Sequence, residues 1–235
     1  MQELMQLIEN RQSARGLFDP ERAIPAEDMV KILEAARWTP TAHNMQNFEI
    51  VVVDDKQLLA AISEIKVPVD PTFIRENYPL LSFAEDELRR KKTGIMGTMF
   101  PKSWQTPDPD LEEIQKEGTG AFMAGQIVSS SALLFVLYDP SRRAPASEGD
   151  FLGIVSLGCL MENIWLMANS LGIGVHIVSS LAVKNVAAEI AKLLNVPDRF
   201  AIAFSMRLGY PVTPVHYLRV RRDRDDFVHR NGFKE

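Results

Sequence analysis

The residues best suited to bind an anion lie close together near the start of the chain, in the segment Arg11-Gln12-Ser13-Ala14-Arg15. Two guanidinium groups and a hydroxyl stand at every second position of this segment. Arginine presents a planar fork of N–H donors that matches a phosphate group, and serine adds a neutral donor. The same spacing also occurs on solvated surfaces, where charged side chains are usually found. The segment is therefore a candidate phosphate site, and the rest of the chain must decide between this interpretation and a solvated surface.

A second polar segment, Thr39 to Gln46, separates a predicted helix from a predicted strand. Its side chains Thr41, Asn44 and Gln46 can donate and accept hydrogen bonds, as the edge of a heteroaromatic ring requires. The histidines do not have the spacing of metal ligands, so neither a metal nor a catalytic role is expected at His43, His176, His216 or His229.

Charge and cysteine content limit the classes of partner. The chain of 235 residues has 26 Lys plus Arg and 31 Asp plus Glu, so its net charge is −5. A nucleic-acid partner requires a basic footprint, and none is expected here. The single cysteine, Cys159, excludes a disulfide within the chain and is typical of a reducing compartment. The first residues lack the apolar run of a signal peptide, so a cytoplasmic location is predicted.

The spacing of apolar residues predicts helices and strands that interleave without a regular βαβ rhythm. The predicted helices cover a stretch ending near residue 10, residues 25–38, a segment beginning after residue 54 or 55, and residues 84–92, 151–171 and 184–194. The predicted strands cover residues 48–53, 133–138, 175–178 and 200–208. This order favours an α+β fold with a mixed central sheet flanked by helices.

The helix predicted at 151–171 is apolar for almost its whole length. That length approaches a membrane span, but Glu162, Asn163 and Asn169 lie inside it and no cationic flank follows. We therefore expect a core helix buried on most sides and no membrane partner. A chain of this size has few apolar layers that could surround such a helix. We therefore expect a subunit interface to cover part of it.

The stretch from about 67 to 120 is irregular and rich in proline, which is common in lids and binding loops. Its apolar side chains are predicted to cover a protein core, a partner subunit or a flat ligand: Met96, Met99, Phe100 and Trp104. The tail at about 212–235 has no apolar periodicity and is expected to lie along a groove or a neighbouring subunit. We expect a single domain over residues 1–235, with a lid-like insertion and a C-terminal arm.

Four segments, in this order and spacing, resemble the FMN-dependent nitroreductase family. Residues 11–18, RQSARGLF, are similar to its Arg-x-Ser-x-Arg/Lys-x-x-Phe opening. Residues 35–48, AARWTPTAHNMQNF, are similar to its Ala-Pro-Ser-x-x-Asn-x-Gln-Pro-Trp turn. Residues 171–180, LGIGVHIVSS, are similar to its Leu-Gly-Leu-Gly turn and following strand. Residues 219–221, RVR, are similar to its basic C-terminal pair.

The resemblance implies an intertwined homodimer with two FMN sites at the subunit interface. It assigns the phosphate and ribityl chain to residues from both ends of the chain: Arg11, Gln12, Ser13, Arg15, Arg219 and Arg221. It assigns contacts to the flavin ring or ribityl chain, partly from the other subunit, to Thr41, Asn44 and Gln46. Backbone N–H groups near Ser179 and Ser180 are expected to face the N5 and O4 edge of the flavin.

The resemblance also implies the reaction. It is that of an oxidoreductase passing two electrons from NADH or NADPH through FMN to a small-molecule acceptor by a ping-pong mechanism. The acceptor would be a nitroaromatic compound, a quinone or a similar flat molecule. No catalytic residue of the protein is expected, because the flavin carries the chemistry. The apolar side chains of the insertion, residues 96–104, are the candidate walls of the acceptor pocket.

Three alternatives stay open. One is a specialised branch of the family, a reductive dehalogenase or a flavin-fragmenting enzyme. The dehalogenating branch uses Glu, Tyr and Lys of a lid, and comparable residues here are Glu76, Tyr78, Glu85, and Lys91 or Lys92. A solvated charged helix explains the same residues. The second alternative is a flavin-binding redox sensor or store with incidental turnover. The third is an apo scaffold that lacks flavin, which predicts colourless purified protein.

Overall fold

The computed structural model describes residues 2–117, 120–147, 149–214 and 216–233. The α-helices are α1 (Gln2–Asn10), α2 (Ala26–Arg37), α3 (Lys56–Ser63), α4 (Pro71–Asn77), α5 (Glu85–Lys91), α6 (Leu111–Glu117), α7 (Gly120–Val128), α8 (Phe151–Ser170) and α9 (Lys184–Leu193). The strands are β1 (Phe48–Val53), β2 (Leu81–Ser82), β3 (Ile95–Met96), β4 (Ala132–Tyr138), β5 (Gly174–Ile177) and β6 (Ala201–Gly209). Helices and strands predicted outside the insertion are confirmed to within one or two residues.

The first of two compact units, Met1–Val67 with Gly120–Val215, contains a four-stranded sheet in the order β1-β4-β6-β5. All three strand pairs are antiparallel, so the α+β class is confirmed and the mixed central sheet is wrong. Parallel pairing in this unit is confined to one isolated bridge, between Ser13 and Val175, among the residues described. The continuous apolar run of β4 is typical of parallel strands buried on both faces, but here helices cover an antiparallel strand on both faces.

The core of this unit lies on both faces of the sheet. Leu134 and Val136 of β4 pack with α2 and α8 on one face. Leu133 and Phe135 point to the opposite face and pack with α3, α7 and α9. Because successive strand residues point to opposite faces, one apolar strand supplies both layers. The sheet is therefore a rigid base for the loops at its ends.

Helix α8 is less buried within the chain than expected. Its C-terminal half is packed into the core, where Ile164 and Ala168 are completely buried. Its N-terminal half leaves Phe151, Ile154 and Val155 at 69%, 62% and 46% exposed. Among the described residues it is the one helix long and apolar enough to cross a membrane, and 39% of its most apolar window is buried. An apolar face of this size is open to a further layer.

The second compact unit consists of Pro68–Thr119 and His216–Glu235. It contains the parallel pair β2–β3 and a small core of Val69, Ile74 and Ile114. Helix α4 was not predicted, although Asp70 caps it and Pro71 opens it, a combination typical of a helix start. The single-domain organisation stays a prediction, and parts of the predicted insertion and arm (residues 118, 119, 215, 234 and 235) lie outside the described residues.

Candidate functional site

Residues 11–16, called here the arginine loop, run beside strand β5. The backbone N–H of Ala14 donates to the carbonyl of Val175 at 2.8 Å. The indole Nε1 of Trp165 donates to the carbonyl of Gln12 at 3.3 Å. The loop therefore extends the sheet by a short parallel segment, and its main chain is fixed by a strand and by helix α8.

The end of the arginine loop is held by two buried side chains that the sequence analysis missed. The Nε2 of Gln126 donates to the carbonyl of Arg15. Both terminal nitrogens of Arg207 donate to the carbonyl of Gly16, each at 3.3 Å. Arg207 is completely buried in β6. The sequence signal that could have identified Arg207 was an arginine inside a largely apolar strand.

The remaining contacts of Arg207 are with neutral groups. Its Nε donates to Ser130 Oγ at 3.0 Å, and its guanidinium stacks on the ring of Phe18 at 4.4 Å. Its Nη1 lies 3.4 Å from Nδ1 of His176. Burial lowers the pKa of Arg207 to about 9, and burial together with the charges of Arg207 and Arg15 lowers the pKa of His176 to about 3. His176 is therefore neutral and can accept a hydrogen bond at Nδ1.

The first arginine of the loop is anchored to helix α8. The Nε of Arg11 lies 3.3 Å from Oε1 of Glu162, and its guanidinium lies 4.6 Å from the centre of the Trp165 ring. Glu162 and Trp165 are one helical turn apart on the same face. The orientation of Arg11 is thus set by a carboxylate and an aromatic ring.

The polar turn that contains Thr41, Asn44 and Gln46 is strongly bent. Three of its residues have a positive φ angle: 50° at His43, 53° at Asn44 and 43° at Gln46. Residues other than glycine rarely adopt this left-handed region, and such strain is concentrated at functional sites. The Thr41 hydroxyl accepts a hydrogen bond from the Gln46 N–H at 3.1 Å, which leaves it less available to a ligand than expected.

The polar turn leads away from the arginine loop along α8. Asn163 donates to Thr39 Oγ1 at 3.2 Å, and Ser156 Oγ accepts from the N–H of Ala42 at 3.2 Å. Ser156 and Trp165 are nine residues apart, about 14 Å along a helix axis. Asn163 is only two residues from Trp165, so the polar turn begins near the arginine loop at Thr39 and leads away from it as far as Ala42.

Ser179 and Ser180 begin a 3₁₀ helix, Ser179–Ala182, directly after β5. The first N–H groups of such a helix have no acceptor inside it. The Oγ of Ser180 is buried and has no hydrogen-bond partner among the described residues. Because the bridge of the arginine loop to β5 is parallel, Arg15 lies toward the same end of the strand as Ser179.

The predicted acceptor wall and the tail arginines lie in the second unit. Phe100 and Trp104 stack with ring centres 6.0 Å apart, and Phe73, which was not predicted, contacts both at 6.3 and 6.2 Å. Met96 is in β3, and Met99 ends the 3₁₀ helix Gly97–Met99. The positions of Arg219 and Arg221 relative to the arginine loop stay a prediction. Over the described ranges, no group of His, Cys, Asp and Glu could hold a metal.

Comparison with known proteins adds one family and several relatives. A model of the nitroreductase family matches residues 8–210. An NADPH-flavin oxidoreductase of Vibrio harveyi is 31% identical over 97 residues, which are 41% of this chain and 39% of that protein. An NADPH-dependent oxidoreductase of Staphylococcus haemolyticus is 20% identical over 87% of this chain and 63% of that protein. The chain thus spans less than two thirds of the length of these two relatives. An FMN-dependent nitroreductase structure from Clostridium difficile shares the fold, with a TM-score of 0.60, 18% identity and coverage of 97% and 99%.

Proposed function

Since the chain belongs to the nitroreductase family, we propose that it is an FMN-dependent oxidoreductase. It takes two electrons from NADH or NADPH and passes them to a nitroaromatic compound, a quinone or a similar flat acceptor, in the two alternating half-reactions of a ping-pong mechanism. The observation that carries the proposal is the arginine loop, in which Arg11, Ser13 and Arg15 alternate along a main chain fixed by β5, α8 and Arg207.

The residues present fit a flavin mononucleotide. Arginine and serine donors of the arginine loop suit the phosphate, and the buried, unpartnered Ser180 Oγ lies in the segment assigned to the flavin edge. When bound, FMN supplies hydride and electron transfer itself, so no acid, nucleophile or metal of the protein is required. The backbone N–H groups of Ser179 and Ser180 would hold the N5 and O4 edge of the flavin, and Gln12 would contact the phosphate.

A homodimer completes this site. Half of the exposed large apolar side chains described in the first unit lie on two helices that contact each other: Leu4, Met5 and Ile8 of α1, and Phe151, Leu152, Ile154 and Val155 of α8. A second copy covers them, because exposed apolar surface of this kind marks interfaces. Its polar turn then supplies Thr41, Asn44 and Gln46 to the site of the first copy, since the same turn in one chain leads away from the arginine loop.

The second unit supplies the lid and the arm in this proposal. The resemblance assigns the wall for a flat acceptor to Met96, Met99, Phe100 and Trp104. It assigns contacts with the phosphate to Arg219 and Arg221 of the arm. Apolar and polarizable side chains such as methionine adapt to acceptors of different shape.

Steady-state turnover tests the proposal. FMN-loaded protein is mixed with NADH or NADPH, and menadione or nitrofurazone is varied at several nicotinamide concentrations. We expect oxidation of the nicotinamide that depends on the acceptor, with the parallel double-reciprocal lines of a ping-pong mechanism. Stable yellow protein that oxidises neither NADH nor NADPH would instead indicate a flavin store or sensor.

The dehalogenating alternative is not favoured by the side chains it requires. Lys91 lies 2.6 Å from Glu87, and Lys92 pairs with Asp223. Glu85 pairs with Arg89 along α5 at 3.3 Å. Lys91, Lys92 and Glu85 are thus engaged in ion pairs inside the second unit, and this favours the explanation by a charged helix.

A further inference from the structure

The proposed function uses the buried arginine of β6 as a support for the arginine loop and leaves its charge unexplained. Arg207 is completely buried, yet in the described part of the chain no carboxylate forms an ion pair with it. Buried charges are normally paired or hydrogen-bonded, because an isolated charge loses much of its hydration energy. Such a residue requires an explanation, and its contacts indicate one.

The first part of the explanation is geometric. Both terminal nitrogens of the Arg207 guanidinium donate hydrogen bonds to the carbonyl of Gly16, and the side chain of Gln126 donates one to the carbonyl of Arg15. Two consecutive carbonyls at the end of the arginine loop are thereby held by buried side chains. The direction in which the Arg15 side chain leaves the main chain depends on these two contacts.

The second part is electrostatic. The neighbours of the Arg207 guanidinium are the hydroxyls of Ser129 and Ser130, the ring of Phe18 and neutral His176, so nothing on these elements cancels its charge. Arg15 adds a charge of the same sign close enough to lower the pKa of His176. Like charges in a region of low dielectric constant attract an anion more strongly than the same charges in water.

We propose that Arg207 is a positioning residue of the anion site, which fixes the Arg15–Gly16 segment and adds an uncompensated buried charge behind it, so that this chain selects phosphorylated over unphosphorylated flavin. This inference rests on the proposed function. It predicts that the charge of Arg207 affects the affinity for FMN far more than the affinity for riboflavin, which has the same ring and ribityl chain without the phosphate.

The test is a pair of dissociation constants for each protein, measured with FMN and with riboflavin by quenching of flavin fluorescence. The variants are Arg207→Met, which removes charge and donors, Arg207→Gln, which keeps neutral donors, and Arg207→Lys, which keeps the charge. Arg199→Met is the matched control, because Arg199 is exposed near the other end of β6 and its loss changes net charge equally.

We expect the ratio of riboflavin to FMN dissociation constants to fall about tenfold or more in Arg207→Met and Arg207→Gln, the scale of one unit charge acting at an effective dielectric constant near 20. Arg207→Lys is expected to keep part of the ratio, and Arg199→Met all of it. If Arg207→Met does not fold, the ratios measured for Arg207→Gln and Arg207→Lys test the proposal by themselves. Equal ratios in Gln and Lys variants, or an equal fall in Arg199→Met, would overturn the proposal.

The wild-type protein separates this inference from the function on which it rests. If wild-type protein binds neither flavin, the proposed function is wrong. If it binds both flavins with equal affinity, the flavin site stands and the role of Arg207 in selecting the phosphate is wrong.

Discussion

The arginine loop of the first unit and the aromatic cluster of the second unit (Phe73, Phe100 and Trp104) are held by different kinds of interaction. Main-chain carbonyls of the loop are bound by the buried side chains of Gln126, Trp165 and Arg207, from three separate elements. The aromatic cluster is held by ring contacts of about 6 Å, and Phe73 is 48% exposed. Directional bonds define one geometry, whereas ring contacts permit several.

This difference matches the two recognition tasks that the proposed function requires. A phosphate has one shape and charge, and a site for it gains from donors that need no rearrangement on binding. A flat acceptor varies in outline, and a wall that repacks around it accepts more than one compound. We therefore expect substitutions around the arginine loop to have large effects on stability or on FMN affinity. Substitutions in the aromatic cluster are expected to have small effects.

The largest expected effect is on stability, from Phe18→Ala. The ring of Phe18 is 1% exposed, stacks under Arg207 and lies where a Cβ on Gly209 would approach it to 2.6 Å. Its removal leaves a cavity in a packed core and is expected to lower the free energy of unfolding by about 3–5 kcal/mol. Phe73→Ala is the matched control, with an expected loss of about 1–2 kcal/mol because half of that ring is already in water.

Denaturant titration followed by circular dichroism measures both changes. Equal losses for Phe18→Ala and Phe73→Ala would show that the two regions are packed alike, and the comparison would fail at its first step.

The next effect is on cofactor affinity. Arg11→Ala removes a charge-assisted contact worth about 1.5–3 kcal/mol, so the dissociation constant of FMN is expected to rise by about ten- to a hundredfold. Arg15→Ala and Arg221→Ala are expected to act in the same direction, and Trp104→Ala to leave FMN affinity unchanged. Unchanged affinity in all three arginine variants would remove this phosphate site.

A smaller effect is expected on acceptor recognition. Trp104→Ala removes one ring from the aromatic cluster, where a ring pair contributes about 0.5–1.5 kcal/mol beyond its buried area. We expect KM for menadione to rise a few-fold while FMN affinity and the rate of flavin reduction by NADH stay the same. The control is Phe83→Ala, another exposed aromatic side chain of the second unit outside the cluster. An equal rise in both variants would argue against a specific acceptor wall.

The sequence was sufficient for elements that depend on local pattern. The β-branched run at 48–53 is strand β1, and the long apolar run after Asp150 is helix α8. Helices α4, α6 and α7 were missed, although Asp70 and Asp110 cap the first two. Length alone is not the reason, because α5 also has seven residues and was predicted as a charged helix. Local rules found the elements with a clear pattern and failed in and beside the irregular stretch, where prolines and glycines interrupt that pattern.

The site divides in the same way. The arginine loop could be named from its residue types, because alternating Arg and Ser is a local pattern. Arg207 could not, since it contacts Gly16 across 191 positions of the chain. A charged residue in a strand normally indicates a solvent-facing position, and only the pairing of β6 between β4 and β5 places it in the interior.

The smallest expected effect is at the ion pair between Lys92 and Asp223, which joins helix α5 to the tail within the second unit. The Asp223 side chain is 72% exposed and that of Lys92 36%. A pair open to water on one side contributes little, because solvent screens it and side-chain entropy is lost on pairing. Lys92→Met keeps the left-handed backbone at this position, where φ is 55°, and removes only the charge. We expect no measurable shift of the unfolding midpoint and no change in FMN affinity. A clear loss of either would mean that the tail depends on one directional contact, as the arginine loop does, and would remove the distinction between the two regions.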